Sequence, residues 1–132
     1  YLMNFEQIET FAKDMLPHYL EAAVFADSPQ NEDALANAEE SEGFEFSEEA
    51  EHLAYIDCLY FVRNAFPWFR RDNLTPEQVG HNLWLSRNGH GTGFWDRGFV
   101  HGAFLHARAA RMETCDIYLS DQIDGILYLE LN

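Results

Sequence analysis

Thr75-Pro76-Glu77-Gln78-Val79-Gly80-His81-Asn82-Leu83-Trp84-Leu85-Ser86-Arg87-Asn88-Gly89 is a helix with both of its ends written into the sequence. Thr75 has the side-chain oxygen that an N-cap needs. Pro76 fills the first helical position, where a missing N–H costs nothing, and Gln78 stands three residues after the cap, where its amide can reach back to it. At the other end Asn88-Gly89 is a stop, because both residues tolerate the left-handed backbone. The run that follows, His90-Gly91-Thr92-Gly93-Phe94-Trp95-Asp96-Arg97-Gly98, carries too much glycine for regular structure.

Working outward, helical signals recur on both sides. Asn4 with Gln7 makes a second capping pair ahead of Phe5, Ile8, Phe11, Ala12 and Met15 at helical spacing, and Pro17 is expected to separate this stretch from another helix over His18 to Ala26. Ser47 caps a helix with Glu48, Glu49 and Glu51 in its first turn, expected to end near Phe66 before Pro67 and to be the central core helix. Helical spacing returns from Phe99 to Met112, with Ala103, Ala107 and Ala110 allowing close packing. The period then changes to two. Cys115 to Leu119 and Ile126 to Leu131 read as strands, joined through the turn residues Asp121, Asp124 and Gly125. The expected fold class is α+β: a small bundle of four to five helices with a C-terminal antiparallel β-hairpin, in a single domain over 1–132. A mobile acidic segment is expected at about 27–46, with Phe44 and Phe46 pinning it to the core.

Composition bounds the function. The chain has 132 residues, 47% hydrophobic and 15% aromatic, enough apolar material for a real core. No apolar run is long enough to cross a bilayer, and Tyr1 to Leu20 lacks the basic start and apolar block of a signal peptide. Cys58 and Cys115 form no spaced motif and read as two buried thiols in a reducing cytoplasm. The formal charge is -15, unevenly placed. Residues 1–62 hold fifteen acids and one base, Lys13; residues 63–111 hold seven arginines and three acids; residues 112–132 hold five acids and no base. Such a chain repels nucleic acid and anionic membrane and attracts basic protein surfaces, although acidity also serves solubility alone.

The helix and its glycine-rich tail hold the candidate chemistry. His81, His90 and Asp96 are candidates for general acid–base work. Arg87 and Arg97 offer planar forks for carboxylate or phosphate, Asn88 an amide, and Trp95 a stacking plane. The glycines let the backbone approach a ligand closely or form an anion-binding nest; equally, they serve a tight loop docked on the helix. Asp96 is also placed to pair with Arg87 or Arg97, and Trp68, Trp84 and Trp95 are of the type that builds cores. His81 and His90, nine apart and with no cysteine near, do not form a zinc spacing, so no metal is expected. The Gly-x-Gly does not follow a strand, so the dinucleotide fingerprint fails and no cofactor is expected. Ser86 lies in no nucleophile elbow, and Cys58 falls within a helix.

The stretch Gly80-His81-Asn82-Leu83-Trp84-Leu85-Ser86-Arg87-Asn88-Gly89-His90-Gly91-Thr92-Gly93-Phe94-Trp95-Asp96-Arg97-Gly98 resembles a family of small proteins common in bacteriophage genomes and mobile elements. Those proteins typically carry His-Asp-Phe-Trp-Leu-Thr-Arg-Asn-Gly-His-Gly-Ala-Gly-Phe-Trp-Asp-Arg. Tyr19 to Phe25 is similar to the family's N-terminal helix, and Ile117 to Leu129 to its closing hairpin. The chain departs at Asn82 and Leu83, where the family has Asp and Phe, and residues 31–49 and Phe99 to Arg111 are its own. The resemblance implies an accessory protein of a phage or mobile element, in the cytoplasm of a bacterial host, and names no reaction. With the charge, it leads to an expected partner: a basic host or defence protein, engaged through Glu39, Glu40, Glu42, Glu45, Glu48, Glu49 and Glu51, with no direct binding to nucleic acid or membrane. The alternative is a small enzyme or ligand-binding domain built on residues 81–97.

Overall fold

The computed structural model describes residues 2–27, 45–120 and 126–132. Among these, four α-helices and a small mixed sheet make an α+β fold, as expected. The helices are α1 (Phe5–Asp27), α2 (Glu48–Arg71), α3 (Pro76–Arg87) and α4 (Gly102–Ala110), with a single 3-10 turn at Phe94–Asp96. The strands are β1 (Glu45–Phe46), β2 (Cys115–Leu119) and β3 (Ile126–Leu131). Most of the acidic segment at 27–46, including Glu39, Glu40, Glu42 and Phe44, lies outside the described residues, as do Asp121, Asp124 and Gly125.

The caps form as the sequence requires. Thr75 Oγ1 accepts the Gln78 N–H at 3.2 Å while Gln78 Oε1 accepts the Thr75 N–H at 2.9 Å. Asn4 and Gln7 make the same reciprocal pair at 2.8 and 2.9 Å ahead of α1. Ser47 Oγ accepts the Ala50 N–H at 3.0 Å at the start of α2. At the far end of α3, Asn88 is the C-cap and its N–H donates to the Trp84 carbonyl.

Both prolines expected to end helices instead lie inside them. Pro17 is within α1, and Pro67 within α2, which runs on to Arg71. A proline removes one helical hydrogen bond, but burial on both sides of it outweighs that loss. In α1 a continuous stripe of Ile8, Ala12, Met15, Tyr19, Ala22 and Ala23 is buried across the proline. In α2 the buried stripe continues past Pro67 to Phe69, whose ring stacks on Phe11 at 4.8 Å.

The central helix is α3, not α2. Eight of its residues, from Val79 to Arg87, are buried, and α1 packs along it. The approach is so close at Gly80 that a Cβ there would run into the Met15 carbonyl oxygen and stand 3.0 Å from the Tyr19 nitrogen. α4 is shorter than the expected Phe99 to Met112. It begins only after Asp72, at the end of α2, accepts the His101 N–H at 2.8 Å. Its buried face is Gly102, Leu105 and Ala109; Ala103, Ala107 and Ala110 face solvent.

The hairpin strands pair antiparallel, with Cys115 opposite Leu131 and Tyr118 opposite Tyr128. A third strand was not expected. β1 pairs parallel to β3, Phe46 opposite Leu127, giving the order β1-β3-β2. Phe46 packs against the core from this strand, and the Ser47 N–H donates to the Leu127 carbonyl, so the sheet holds the start of α2. Cys58 and Cys115 are both buried and unpaired.

Replacing Gly80 by alanine is expected to force α1 off α3 and to cost about 1–3 kcal/mol, the range for overpacking a close contact. Denaturant unfolding would measure it, and an unchanged midpoint would show that the helices are free to separate.

Candidate functional site

The residues singled out between 81 and 97 do not form one site. They divide among four environments, each set by which face of α3 or which part of the following turn they occupy.

Arg87 lies in the core, 3% exposed. Its Nε donates to the Glu113 carbonyl at 2.6 Å, and its Nη1 donates to Tyr19 Oη at 2.9 Å and to Asp57 Oδ2 at 2.6 Å. The guanidinium expected to meet a ligand instead joins α1, α2, α3 and the segment entering β2. Burial works against its charge, but Tyr19 and the Asp57 carboxylate outweigh this, and its pKa is raised. Burial likewise pushes the Tyr19 hydroxyl well above its ordinary value and the Cys115 thiol up to about 11. Cys58 is raised further for the same reason. Both thiols are therefore protonated near neutral pH and poor nucleophiles.

His90 and Asn88 tie the end of α3 to its neighbours. His90 Nε2 lies 2.7 Å from Asp27 Oδ2, the oxygen that also accepts the Trp84 Nε1–H at 2.6 Å. Trp84 is fully buried with its ring edge-on to Tyr19, so Asp27 fixes a core tryptophan and a surface histidine together. Asn88 Oδ1 accepts the Cys115 N–H at 2.8 Å, which seats β2 on α3.

Asp96 closes the glycine-rich turn on itself. Its two carboxylate oxygens accept the Thr92 hydroxyl at 2.8 Å and the Gly93 N–H at 3.0 Å. These bonds, the Thr92 hydroxyl first, hold its carboxyl below the ordinary aspartate value. Gly93 has φ +140°, and a Cβ there would run into Ser86 Oγ. Ser86 Oγ in turn accepts the Phe94 N–H at 3.0 Å and lies 2.9 Å from His106 Nδ1. Ser86 is 1% exposed, so this serine–histidine contact anchors the turn and offers no accessible nucleophile. The amides of Gly93 and Phe94 are engaged within the chain, which takes them out of any anion nest. Trp95, by contrast, points outward at 52% exposure, with an edge contact to His106.

His81 and Arg97 face a cleft of about 770 Å³ between α1 and α3, lined also by His18, Glu21, Glu77 and Asn82. Arg97 Nε donates to Asn82 Oδ1 at 3.1 Å and lies 3.7 Å from Asp96 Oδ1. Of the two pairings open to Asp96, the structure makes the one with Arg97. Asn82 thus holds Arg97 through an amide oxygen.

His81, His90 and Asp96, the candidate acid–base groups, sit in three of these four environments and share no hydrogen-bond partner among the described residues. Among the described residues, no group of three or more His, Cys, Asp or Glu side chains is placed to hold a metal ion. Sequence reasoning missed Tyr19, Asp57 and Asp27, the partners of Arg87, Trp84 and His90. The signal for Asp57 was a lone acid beside the apolar positions Ala54, Cys58 and Phe61 of α2, which are all buried. Glu45, Glu48, Glu49 and Glu51 are exposed. No helix among the described residues is long and apolar enough to cross a membrane. No family model, curated protein or solved structure matches the chain.

Two outcomes are expected. Asp57→Ala leaves the Arg87 charge buried and unpaired and should cost about 3 kcal/mol or more in unfolding free energy; a loss under about 1 kcal/mol would mean that water reaches the guanidinium. The Gly93 amide resonance should titrate with Asp96. Because the Asp96 pKa is depressed, the turn's hydrogen bonds are fully present above the ordinary aspartate value and are lost only as pH falls through the lower, folded value. A midpoint at the ordinary value would show the bonds to be absent in solution.

Proposed function

We propose that the protein acts by binding, presenting an acidic face to a basic surface of another protein. The observation that carries this reading is the charge distribution: fifteen acids against one lysine in residues 1–62. Glu45, Glu48, Glu49 and Glu51 add local support, being exposed and outside any ion pair among the described residues. Three of them lie in the first turn of α2, at the end of the helix where its dipole favours acidic side chains without a cation. A face of this kind offers a nucleic-acid-binding protein the charge that it evolved to meet. The likeness of residues 80–98 to a phage and mobile-element family makes a host or defence protein the class of partner. In this reading the run from 80 to 98 is scaffold, which accords with Arg87, Ser86 and Asn88 each bonding inward. An enzyme built on His81, His90 and Asp96 has less behind it, since the three have separate surroundings.

The test is affinity capture from a bacterial lysate at low and high salt. It compares the native chain with one in which Glu39, Glu40, Glu42, Glu45, Glu48, Glu49 and Glu51 are all changed to glutamine. The native chain is expected to retain a specific protein at low salt that is lost at high salt and lost on neutralisation, with affinity falling by about tenfold or more. The same proteins held equally by both chains at all salt concentrations would overturn the reading.

A further inference from the structure

β2 is the outer strand of its sheet, since the order is β1-β3-β2. Two ladder bonds fix which of its groups face inward. The Asn132 N–H donates to the Thr114 carbonyl and the Ser120 N–H to the Ile126 carbonyl, so the even-numbered residues from 114 to 120 bond toward β3. Cys115, Ile117 and Leu119 therefore present their N–H and C=O groups to the opposite side. The first of these is capped, since the Cys115 N–H donates to Asn88 Oδ1. The edge groups of Ile117 and Leu119 meet no backbone partner among the described residues.

Beside this edge runs a groove of about 650 Å³, bounded by Asp27, Asn88 and Glu130 as well as by β2 itself. Its charge is one-sided, with Asp27, Asp116 and Glu130 and no base among the described residues that line it. Asp116 and Glu130 are direct cross-strand partners, an arrangement that costs stability when both are charged and no cation lies between them. Neither belongs to an ion pair among the described residues. Edge strands are ordinarily blunted by lysine, proline or a bulge. The sequence of β2, Cys115-Asp116-Ile117-Tyr118-Leu119, has neither residue, and its register against β3 runs without an offset. The adjacent Tyr118–Tyr128 stack, at 5.5 Å, continues the same exposed face and gives aliphatic side chains a surface to lie on.

We infer that the outer edge of β2 takes up an extended, basic segment of a partner protein by strand addition, with Ile117 and Leu119 supplying the main-chain bonds and Asp116 and Glu130 selecting lysine or arginine. This deepens the acidic-binding reading by naming a second surface and the form of the segment that it holds, and it rests on the same charge argument.

The experiment uses the full chain, labelled with nitrogen-15, and a synthetic blocked peptide of alternating lysine and valine. Saturating peptide is expected to slow amide exchange at Ile117 and Leu119 by about tenfold or more. N-methylating the peptide's alternate amides should weaken binding by about tenfold or more, because it removes the donors that the edge requires. Changing Asp116→Asn with Glu130→Gln should weaken it about fivefold without lowering stability, since that pair is repulsive in the free protein. Unchanged exchange at Ile117 and Leu119, or equal binding of the N-methylated peptide, would overturn the inference. If affinity falls only when Glu45, Glu48, Glu49 and Glu51 are neutralised, the edge is not the site while the acidic face stands. If it falls only with Asp116 and Glu130, the edge is the site and the face at the start of α2 is not.

Discussion

A single guanidinium, buried at the centre of the helices, is the constraint on which the rest of the molecule depends. Arg87 reaches Tyr19 on α1, Asp57 on α2 and the Glu113 carbonyl before β2, so one side chain fixes the relative positions of three helices and the entry to the sheet. A buried ion pair is seldom a large net stabiliser, because desolvation offsets most of the attraction. Its value is selective. A packing of these helices that left the guanidinium without its acceptors would be penalised far more than one that misplaced a leucine. Asn88 and Trp84, one and three residues away on the same helix, extend the arrangement to Cys115 and Asp27. α3 thus acts as a peg with polar stops along an otherwise apolar shaft.

That arrangement explains what the run from residue 80 to 98 is made of. Gly80 permits the close crossing with α1, and Gly93 permits the chain to fold back over Ser86. Asp96 stitches the turn, and Arg97 leans on Asn82. Most of its polar side chains bond within the chain, including the exposed His90 and Asp96, while Trp95 points outward and His81 faces the cleft. The exposed acids lie elsewhere, at the start of α2 and along the hairpin at Asp116 and Glu130.

The local signals in the sequence were legible, and the long-range ones were not. The capping pairs at Thr75 and Gln78 and at Asn4 and Gln7 involve residues three apart, and both form. The change to a period of two at Cys115 correctly marked the antiparallel pair. Pro17 and Pro67 misled because a proline's local cost says nothing about the stripe that continues beyond it. β1 was invisible because two residues carry no period, and their pairing with Ile126 and Leu127 depends on residues far along the chain. Arg87 was read as a surface fork because a sequence does not reveal that Asp57 and Tyr19 will converge on it. The apolar Leu83-Trp84-Leu85 just before it was the available hint.

The contact between Gly93 and Ser86 limits what each position can hold. The turn closes only if position 93 has no side chain and position 86 has one small enough to fit beneath it, while still offering an oxygen to the Phe94 amide. Position 93 is the stricter of the two, because a Cβ there would collide with the Ser86 hydroxyl, whereas position 86 needs a small side chain that carries a hydroxyl oxygen. The glycine-rich run is therefore held by the geometry of closing a helix, a constraint that the exposed acids at the start of α2 do not share.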